Sequence, residues 1–244
     1  MSFVKNKSQI GSSLSEVIIV LALLGIVFTL TLGVMVADYN KNQTVVRLEK
    51  TFLILSKSLR MSVTQNSEPD TWWFPTTLSE TDSYSFFEKY LKPHLILTLD
   101  CKNSIDGNCT FDFKELDGEV KSLNSSWVRF YLNNGAFVAM QAIKNKEYKV
   151  LYFYVDINGK KRLNVVGRDI FMFEYWIENP KHKDWVGVLL PYGHEFSHSE
   201  LISDKNLNNC NSNSKGNYCG ALIWMDGWQI KYGYPWAHAR HIIK

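Results

Sequence analysis

The segment His194–His198 reads HEFSH and matches the HExxH pattern of zinc hydrolases. On a helix the two histidines of that pattern lie one turn apart and bind Zn²⁺, while the glutamate activates a water. Pro191, Gly193 and Ser197 disfavour a helix in this segment. The usual downstream glutamate ligand is also missing, since Glu200 is the last glutamate of the chain. A zinc hydrolase is therefore the weakest alternative, and we expect no enzyme and no catalytic residue.

A second group of oxygen-bearing side chains lies within residues 156–169. Asp156, Asn158 and Asp169 offer carboxylate and amide oxygens, which Ca²⁺ prefers as ligands. Ca²⁺ takes about six to eight oxygens, and this segment lacks the glutamate that completes the common twelve-residue calcium loop. Asp156 and Asn158 also suit a tight turn before Gly159. We predict no metal and no cofactor, and name these three residues as the calcium candidates.

The four cysteines form two pairs that are close in sequence. Cys101 and Cys109 are 8 residues apart, and Cys210 and Cys219 are 9 apart. Four cysteines allow three pairings. We favour the two local disulfides, because closing a short loop loses little chain entropy. Free thiols are the alternative, and a zinc site is weaker because neither pair has the spacing of a metal finger.

The N-terminal forty residues contain the strongest signal in the chain. Residues 17–36 are 20 residues without a charge, and they follow a leader that carries Lys5 and Lys7. As a helix this run would be about 30 Å long, the thickness of a bilayer's hydrocarbon core. A cleaved secretory signal would have a shorter apolar run. We therefore predict a transmembrane helix at about residues 17–36, with the N-terminus in the cytoplasm and the remainder exported.

Glu16 stands at the start of this apolar run. A carboxylate at membrane depth costs a few kcal/mol unless it is paired. Cleavage between Gly11 and Ser12 would make Glu16 the fifth residue of the new chain, and the new amino group on one copy could neutralise Glu16 on the next. The alternative is a carboxylate that only caps the helix or reaches the membrane interface.

The order of these features resembles type IV pilins and the pseudopilins of type II secretion systems. In that family a short basic leader ends at a glycine, here Gly11, and an apolar helix with glutamate at its fifth residue, here Glu16, follows the cut. Ser12 departs from the usual phenylalanine. The resemblance implies cleavage by a prepilin peptidase, methylation of the new amine and assembly into a helical fibre. Residues 156–171 and 219–230 are also similar to stretches of large pilin-like proteins.

The helical pattern continues past the apolar run. Apolar residues recur at steps of three and four within residues 45–59, with charged residues between them, which indicates an amphipathic helix. After residue 64 the pattern changes to β-rich runs separated by Asn-Gly and Asp-Gly turns, including a predicted hairpin around Asp226-Gly227. The predicted fold is α+β: a long N-terminal helix, transmembrane in its first half, packed on an antiparallel β-sheet head as in pilins.

Composition restricts the function classes. The chain has 244 residues, a net charge of +3 and no long run of lysine and arginine, which disfavours a nucleic-acid binder. Hydrophobic residues at 45% and charged residues at 21% exclude a disordered chain and a polytopic membrane protein.

The expected domains are a prepilin leader (1–11), a long helix (12–64) and an exported β-rich head (65–244). From the resemblance we expect a minor pseudopilin, a subunit of a type II secretion or type IV pilus fibre with a structural role in protein export. Its partners would be other pilin-like subunits, the prepilin peptidase and the membrane. Its place would be the bacterial inner membrane, as a single-pass protein with the head in the periplasm or outside the cell. The runner-up is a membrane-tethered exported binding domain that does not polymerise.

Overall fold

A computed structural model of the chain describes residues 14–75, 80–159 and 164–236, without the side chains of residues 29–34, 80 and 81. The predicted leader and the cleavage site at Gly11 and Ser12 lie outside the described residues. The chain divides into two compact units, residues 1–41 and residues 42–244.

The first helix, α1, covers Leu14–Asn66 and has 53 residues. In the second unit, its apolar stripe is buried, and Leu48, Leu55 and Leu59 are at most 1% exposed. Charged residues occupy the opposite side of the helix, where Lys57 is exposed. The predicted amphipathic stripe within residues 45–59 is therefore confirmed.

The prediction of a transmembrane first half is wrong. Among the described residues, no helix has both the length and the hydropathy that crossing a membrane requires. Two predictions are therefore wrong. They are the pilin-like fold class with a membrane span at about residues 17–36, and the location as a single-pass protein of the inner membrane.

Two antiparallel β-sheets form the β part of the second unit. The larger one has six strands in the order β1-β4-β5-β6-β7-β8, and β2 pairs with β3 in a separate two-stranded sheet. Each neighbouring pair in the larger sheet is antiparallel, so β4 to β7 form a meander. The strands are β1 (Leu97–Lys102), β2 (Asp112–Lys114), β3 (Val120–Ser122), β4 (Val128–Leu132), β5 (Phe137–Lys144), β6 (Lys149–Asp156), β7 (Ile170–Glu178) and β8 (Leu189–Pro191).

Turn residues predicted two of the hairpins correctly and one wrongly. Asn134-Gly135 joins β4 to β5, and Asp117-Gly118 joins β2 to β3. The expected hairpin around Asp226-Gly227 is instead preceded by a helix, α4 (Cys219–Met225). A short apolar run has no period that separates a buried strand from a buried helix, and here the backbone forms helical hydrogen bonds, such as Leu222 N–H to Tyr218 O at 3.1 Å. The other helices are α2 (Glu80–Tyr90) and α3 (His198–Leu201).

The core lies between the second half of α1 and the larger sheet. Phe52 of α1 contacts the ring of Phe173 in β7 at 5.5 Å and that of Trp228 at 5.2 Å. A hydrogen bond of 2.9 Å from Asn134 Nδ2 to Thr51 Oγ1 adds a polar contact between α1 and the β4–β5 turn. Buried aromatic contacts of this kind hold the helix against the sheet.

Both local disulfides are present. Cys101 in β1 bonds to Cys109, and Cys210 in a polar loop bonds to Cys219 at the start of α4. The predicted pairing is confirmed. Each bond closes a short loop, which loses little chain entropy.

Candidate functional site

The three calcium candidates lie together in a buried polar cluster at the ends of β6 and β7. Asn158 Nδ2 donates a hydrogen bond to Asp169 Oδ1 at 2.6 Å, and Asn164 Nδ2 donates to Asp156 Oδ2 at 2.7 Å. The other two carboxylate oxygens accept backbone N–H groups, from Asn158 at 3.0 Å and from Val165 at 3.3 Å. Each of the four carboxylate oxygens therefore has a donor from the chain itself.

Burial dominates the electrostatics of this cluster. It raises the pKa of Asp169 to about 6, although the nearby Arg168 guanidinium acts in the opposite direction. Burial also raises the pKa of Asp156 well above its ordinary value, and the neighbouring Asp169 carboxylate adds to that effect. The amide N–H donors of the cluster link residues 156 and 158 to residues 164, 165 and 169. The expectation of no metal, with Asp156, Asn158 and Asp169 as the calcium candidates, stays a prediction.

The HExxH segment does not form one helical turn. Ser197 is the N-cap of α3, so the helix begins inside the motif, and the Glu200 carboxylate accepts the Ser197 N–H at 2.8 Å. The two histidines have different partners as a result. His194 Nδ1 lies 3.1 Å from Glu174 Oε1, whereas His198 Nε2 lies 3.5 Å from Asp226 Oδ1.

The turn after β8 gives His194 its position. Gly193 has a φ of 89°, a conformation that favours glycine, and a Cβ there would lie 2.4 Å from Cδ1 of Tyr218. This turn directs His194 towards Glu174, which lies in the middle of β7 and is buried. Glu195 Oε2 lies 3.6 Å from His194 Nδ1. Glu174, His194 and Glu195, the Glu-His-Glu cluster, have ligand atoms that all lie within 4.8 Å of one another.

Burial also affects the acids of this cluster. It raises the pKa of the Glu174 carboxyl, and the adjacent His194 imidazole partly offsets the effect. A buried carboxylate needs a partner, because an isolated charge in an apolar interior is unfavourable. His194, whose Nδ1 lies 3.1 Å from Glu174 Oε1, is such a partner.

An aromatic groove borders the cluster. It has a volume of about 530 Å³, and Glu195 forms part of its lining. Trp176 and Trp185 line the groove with ring centroids 6.2 Å apart, and Tyr148 meets Trp176 edge to face at 5.4 Å. The His182 ring stacks on Trp185 at 3.8 Å. Charged and polar side chains, among them Glu147, Glu178 and Lys181, share the lining with these rings.

The first half of α1 presents a different kind of surface. In residues 14–28, the N-terminal segment, eleven large apolar side chains are between 43% and 79% exposed. Glu16 is the acidic residue in the first turn of α1. Soluble monomers rarely expose a contiguous apolar patch larger than about 300–600 Å², so a surface of this extent indicates an interaction site.

Sequence reasoning missed Glu174 and the groove, although one signal was present. Glu174 is the single charged residue within residues 170–177, a run of strand-forming and apolar residues. A charge in the middle of a buried strand indicates a specific partner. The HExxH pattern indicated His198 as the second ligand instead, but His198 contacts Asp226.

Comparison with known proteins gives one result. A family model described as a family of unknown function, DUF6613, matches residues 34–237. The chain belongs to this family. No curated protein and no solved structure matches the chain. The DUF6613 match includes both disulfides, the Glu-His-Glu cluster and the groove, and it begins after the N-terminal segment.

Proposed function

We propose that this DUF6613 protein is a pilin-like subunit that assembles into a fibre of a type II secretion or type IV pilus system. The observation that carries the proposal is the exposed apolar surface of the N-terminal segment, residues 14–28. The prepilin-like order of Gly11, Ser12 and Glu16 also supports it.

The apolar surface covers all sides of the helix in this segment. Every described side chain from residue 14 to residue 28 is exposed. A helix that is apolar all round requires burial, whereas a helix on the surface of a soluble protein has one apolar stripe. The removal of apolar surface from water contributes about 25 cal/mol per Å², so burial of this surface favours association strongly.

Further copies of the same chain are the occupants that fit this surface. A helix without a preferred face can pack against several neighbours at once, as a fibre core requires. After cleavage behind Gly11, the new amino group of one copy would neutralise Glu16 of the next and fix the axial register of the helices. A register set by a charge pair explains why an acid stands beside an otherwise uncharged run.

A matched pair of substitutions tests the assembly surface. Leu24→Lys introduces a charge into the N-terminal segment, where Leu24 is 59% exposed, and Leu53→Lys makes the same change at a site that is 55% exposed in the second unit. Loss of about 2 kcal/mol of burial corresponds to about a 30-fold weaker association, so Leu24→Lys should weaken assembly by at least that factor. Sedimentation and electron microscopy of sheared surface material measure the assembled fraction.

The Leu53→Lys variant should assemble as the wild type does. Equal assembly of wild type and Leu24→Lys would refute the proposed surface. Glu16→Ala should also reduce assembly, because the new amino group would lose its partner.

Processing is tested separately by intact mass. The protein recovered from its native host should begin at Ser12 and carry a methyl group on its amine. A recovered chain that still begins with Met1 would contradict the prepilin part of the proposal. The Leu24→Lys and Leu53→Lys variants would still test the assembly surface.

A further inference from the structure

We propose that Glu174, His194 and Glu195 bind one divalent transition-metal ion of the Zn²⁺ class at the edge of the aromatic groove. The site lies in residues 42–244 and is independent of the assembly proposal. It uses one half of the HExxH sequence and a buried glutamate from β7 that no motif indicates.

The two distances from His194 to the carboxylates fit tetrahedral coordination. Zn²⁺ binds nitrogen and oxygen ligands at about 2.0–2.2 Å, which places two ligand atoms of a tetrahedron about 3.3–3.5 Å apart. His194 Nδ1 lies 3.1 Å from Glu174 Oε1 and 3.6 Å from Glu195 Oε2. These separations bracket the tetrahedral value, so small side-chain adjustments would suffice to bind the ion.

The His194 side chain is buried and has unmet bonding capacity. It is 8% exposed, and among the described residues neither of its ring nitrogens has a hydrogen-bond partner. The contact with Glu174 has the distance of an ion pair but not the alignment of a hydrogen bond. Buried polar atoms are normally satisfied, so an imidazole in this state beside two carboxylates indicates a missing ligand.

The ligand set determines the class of metal. An imidazole nitrogen favours Zn²⁺ and similar transition metals over Ca²⁺ and Mg²⁺, which prefer oxygen ligands alone. Three protein ligands leave one tetrahedral position open. Because Glu195 also lines the groove, a water or a ligand group in the groove would have access to that position.

The neighbouring aromatic rings hold the imidazole in place. Trp185 meets the His194 ring edge to face at 4.5 Å and stacks on the His182 ring at 3.8 Å. Ring packing of this kind fixes the orientation of a ligand before the metal binds, which is the role of supporting residues around a metal.

Metal titration of the full-length protein tests the site. The chain is purified in a mild detergent, treated with a chelator and titrated with Zn²⁺ against a chromogenic competitor, and Co²⁺ absorption reports tetrahedral geometry. The wild type should bind one ion per chain with a dissociation constant of about 1 μM or lower. Glu174→Gln and His194→Ala should each weaken binding at least 10-fold.

Two further variants keep the test decisive if the buried substitutions disturb folding. Glu195→Gln changes a partly exposed side chain and should weaken Zn²⁺ binding about 10-fold without altering the circular dichroism spectrum. His198→Ala is the matched control, because His198 contacts Asp226 and lies outside the cluster. Its Zn²⁺ affinity should equal that of the wild type.

Three outcomes would overturn the proposal. The first is that the wild type fails to bind Zn²⁺ at 100 μM. The second is that Glu195→Gln binds Zn²⁺ with unchanged affinity, and the third is that His198→Ala loses binding. The last result would favour HExxH ligation instead. Failure of this test has no bearing on the assembly surface, which the Leu24 and Leu53 variants measure.

Discussion

The two halves of α1 differ in how they distribute apolar residues. In the N-terminal segment, residues 14–28, large apolar side chains lie on all sides and are exposed. In residues 45–59, which we name the docked segment, one apolar stripe is buried, with Leu48 and Leu55 at 0% exposure, whereas Leu53 lies outside the stripe and is exposed. One helix therefore has an apolar stripe that packs within the same chain and an apolar surface that is exposed in the described part of the chain.

This difference shows which forces act within one chain and which act between chains. The docked segment contributes to folding, because its stripe packs on a sheet of the same chain. The N-terminal segment contributes to association, because exposed apolar surface is stabilised by burial against another molecule. The substitutions in the two segments should accordingly affect different measurements.

The largest expected effect on folding is at Leu55. Leu55 is 0% exposed, so Leu55→Ala should reduce the free energy of unfolding by about 2–5 kcal/mol. Leu53→Ala, at a site 55% exposed, should change it by less than about 0.5 kcal/mol. Urea denaturation monitored by tryptophan fluorescence measures both. Similar values for the two variants would show that the stripe does not stabilise the fold.

Leu24→Ala extends the comparison to the first half of α1. We expect a change of less than about 0.5 kcal/mol in the unfolding of the second unit, because Leu24 is exposed. A loss comparable to that of Leu55→Ala would mean that the N-terminal segment also stabilises the second unit.

The next effect is a pH dependence centred on Asp169. The backbone carbonyl of Arg168, its neighbour in sequence, accepts a hydrogen bond of 3.5 Å from Thr44, the residue before the docked segment. The folded-state pKa of Asp169 is raised to about 6 from an ordinary value of 3.8, so the folded protein retains a proton that the unfolded chain has lost. Stability from this group is present below about pH 4 and is lost as pH rises through about 6.

Denaturation at pH 4.5, 5.5 and 6.5 tests this dependence. The contribution should amount to about 1–3 kcal/mol over that range, and Asp169→Asn should remove most of it. The pKa of Asp156 is raised in the same direction, so a residual pH dependence should persist in the variant. A wild type and an Asp169→Asn variant with parallel pH profiles would contradict the assignment.

The smallest effect concerns the polar contact between the docked segment and the β4–β5 turn. Thr51→Val removes the acceptor of the Asn134 hydrogen bond in a buried position and should reduce stability by about 1–2 kcal/mol. Thr64→Val is the control, because its hydroxyl bonds only within the exposed end of α1 and should cause almost no change. Equal effects would indicate helix propensity rather than the contact with the turn.

Local features of the sequence determined several parts of the structure. The spacing of apolar residues within 45–59 fixed the buried stripe of α1, since the helical period alone decides which side chains share a face. Asn134-Gly135 and Asp117-Gly118 fixed two hairpins, because these residues accept the backbone angles of tight turns. Short separations between cysteines likewise fixed the two disulfides.

Only the tertiary structure decided the features that depend on distant residues. The helix at Cys219–Met225 replaced a predicted hairpin strand because a short apolar run has no local period that separates helix from strand. Glu174 and His194 are 20 positions apart in sequence, and the β7–β8 pairing and the turn at Gly193 bring them to 3.1 Å. A sequence pattern shows which groups are present, but their contacts follow from the packing of strands that no local rule determines.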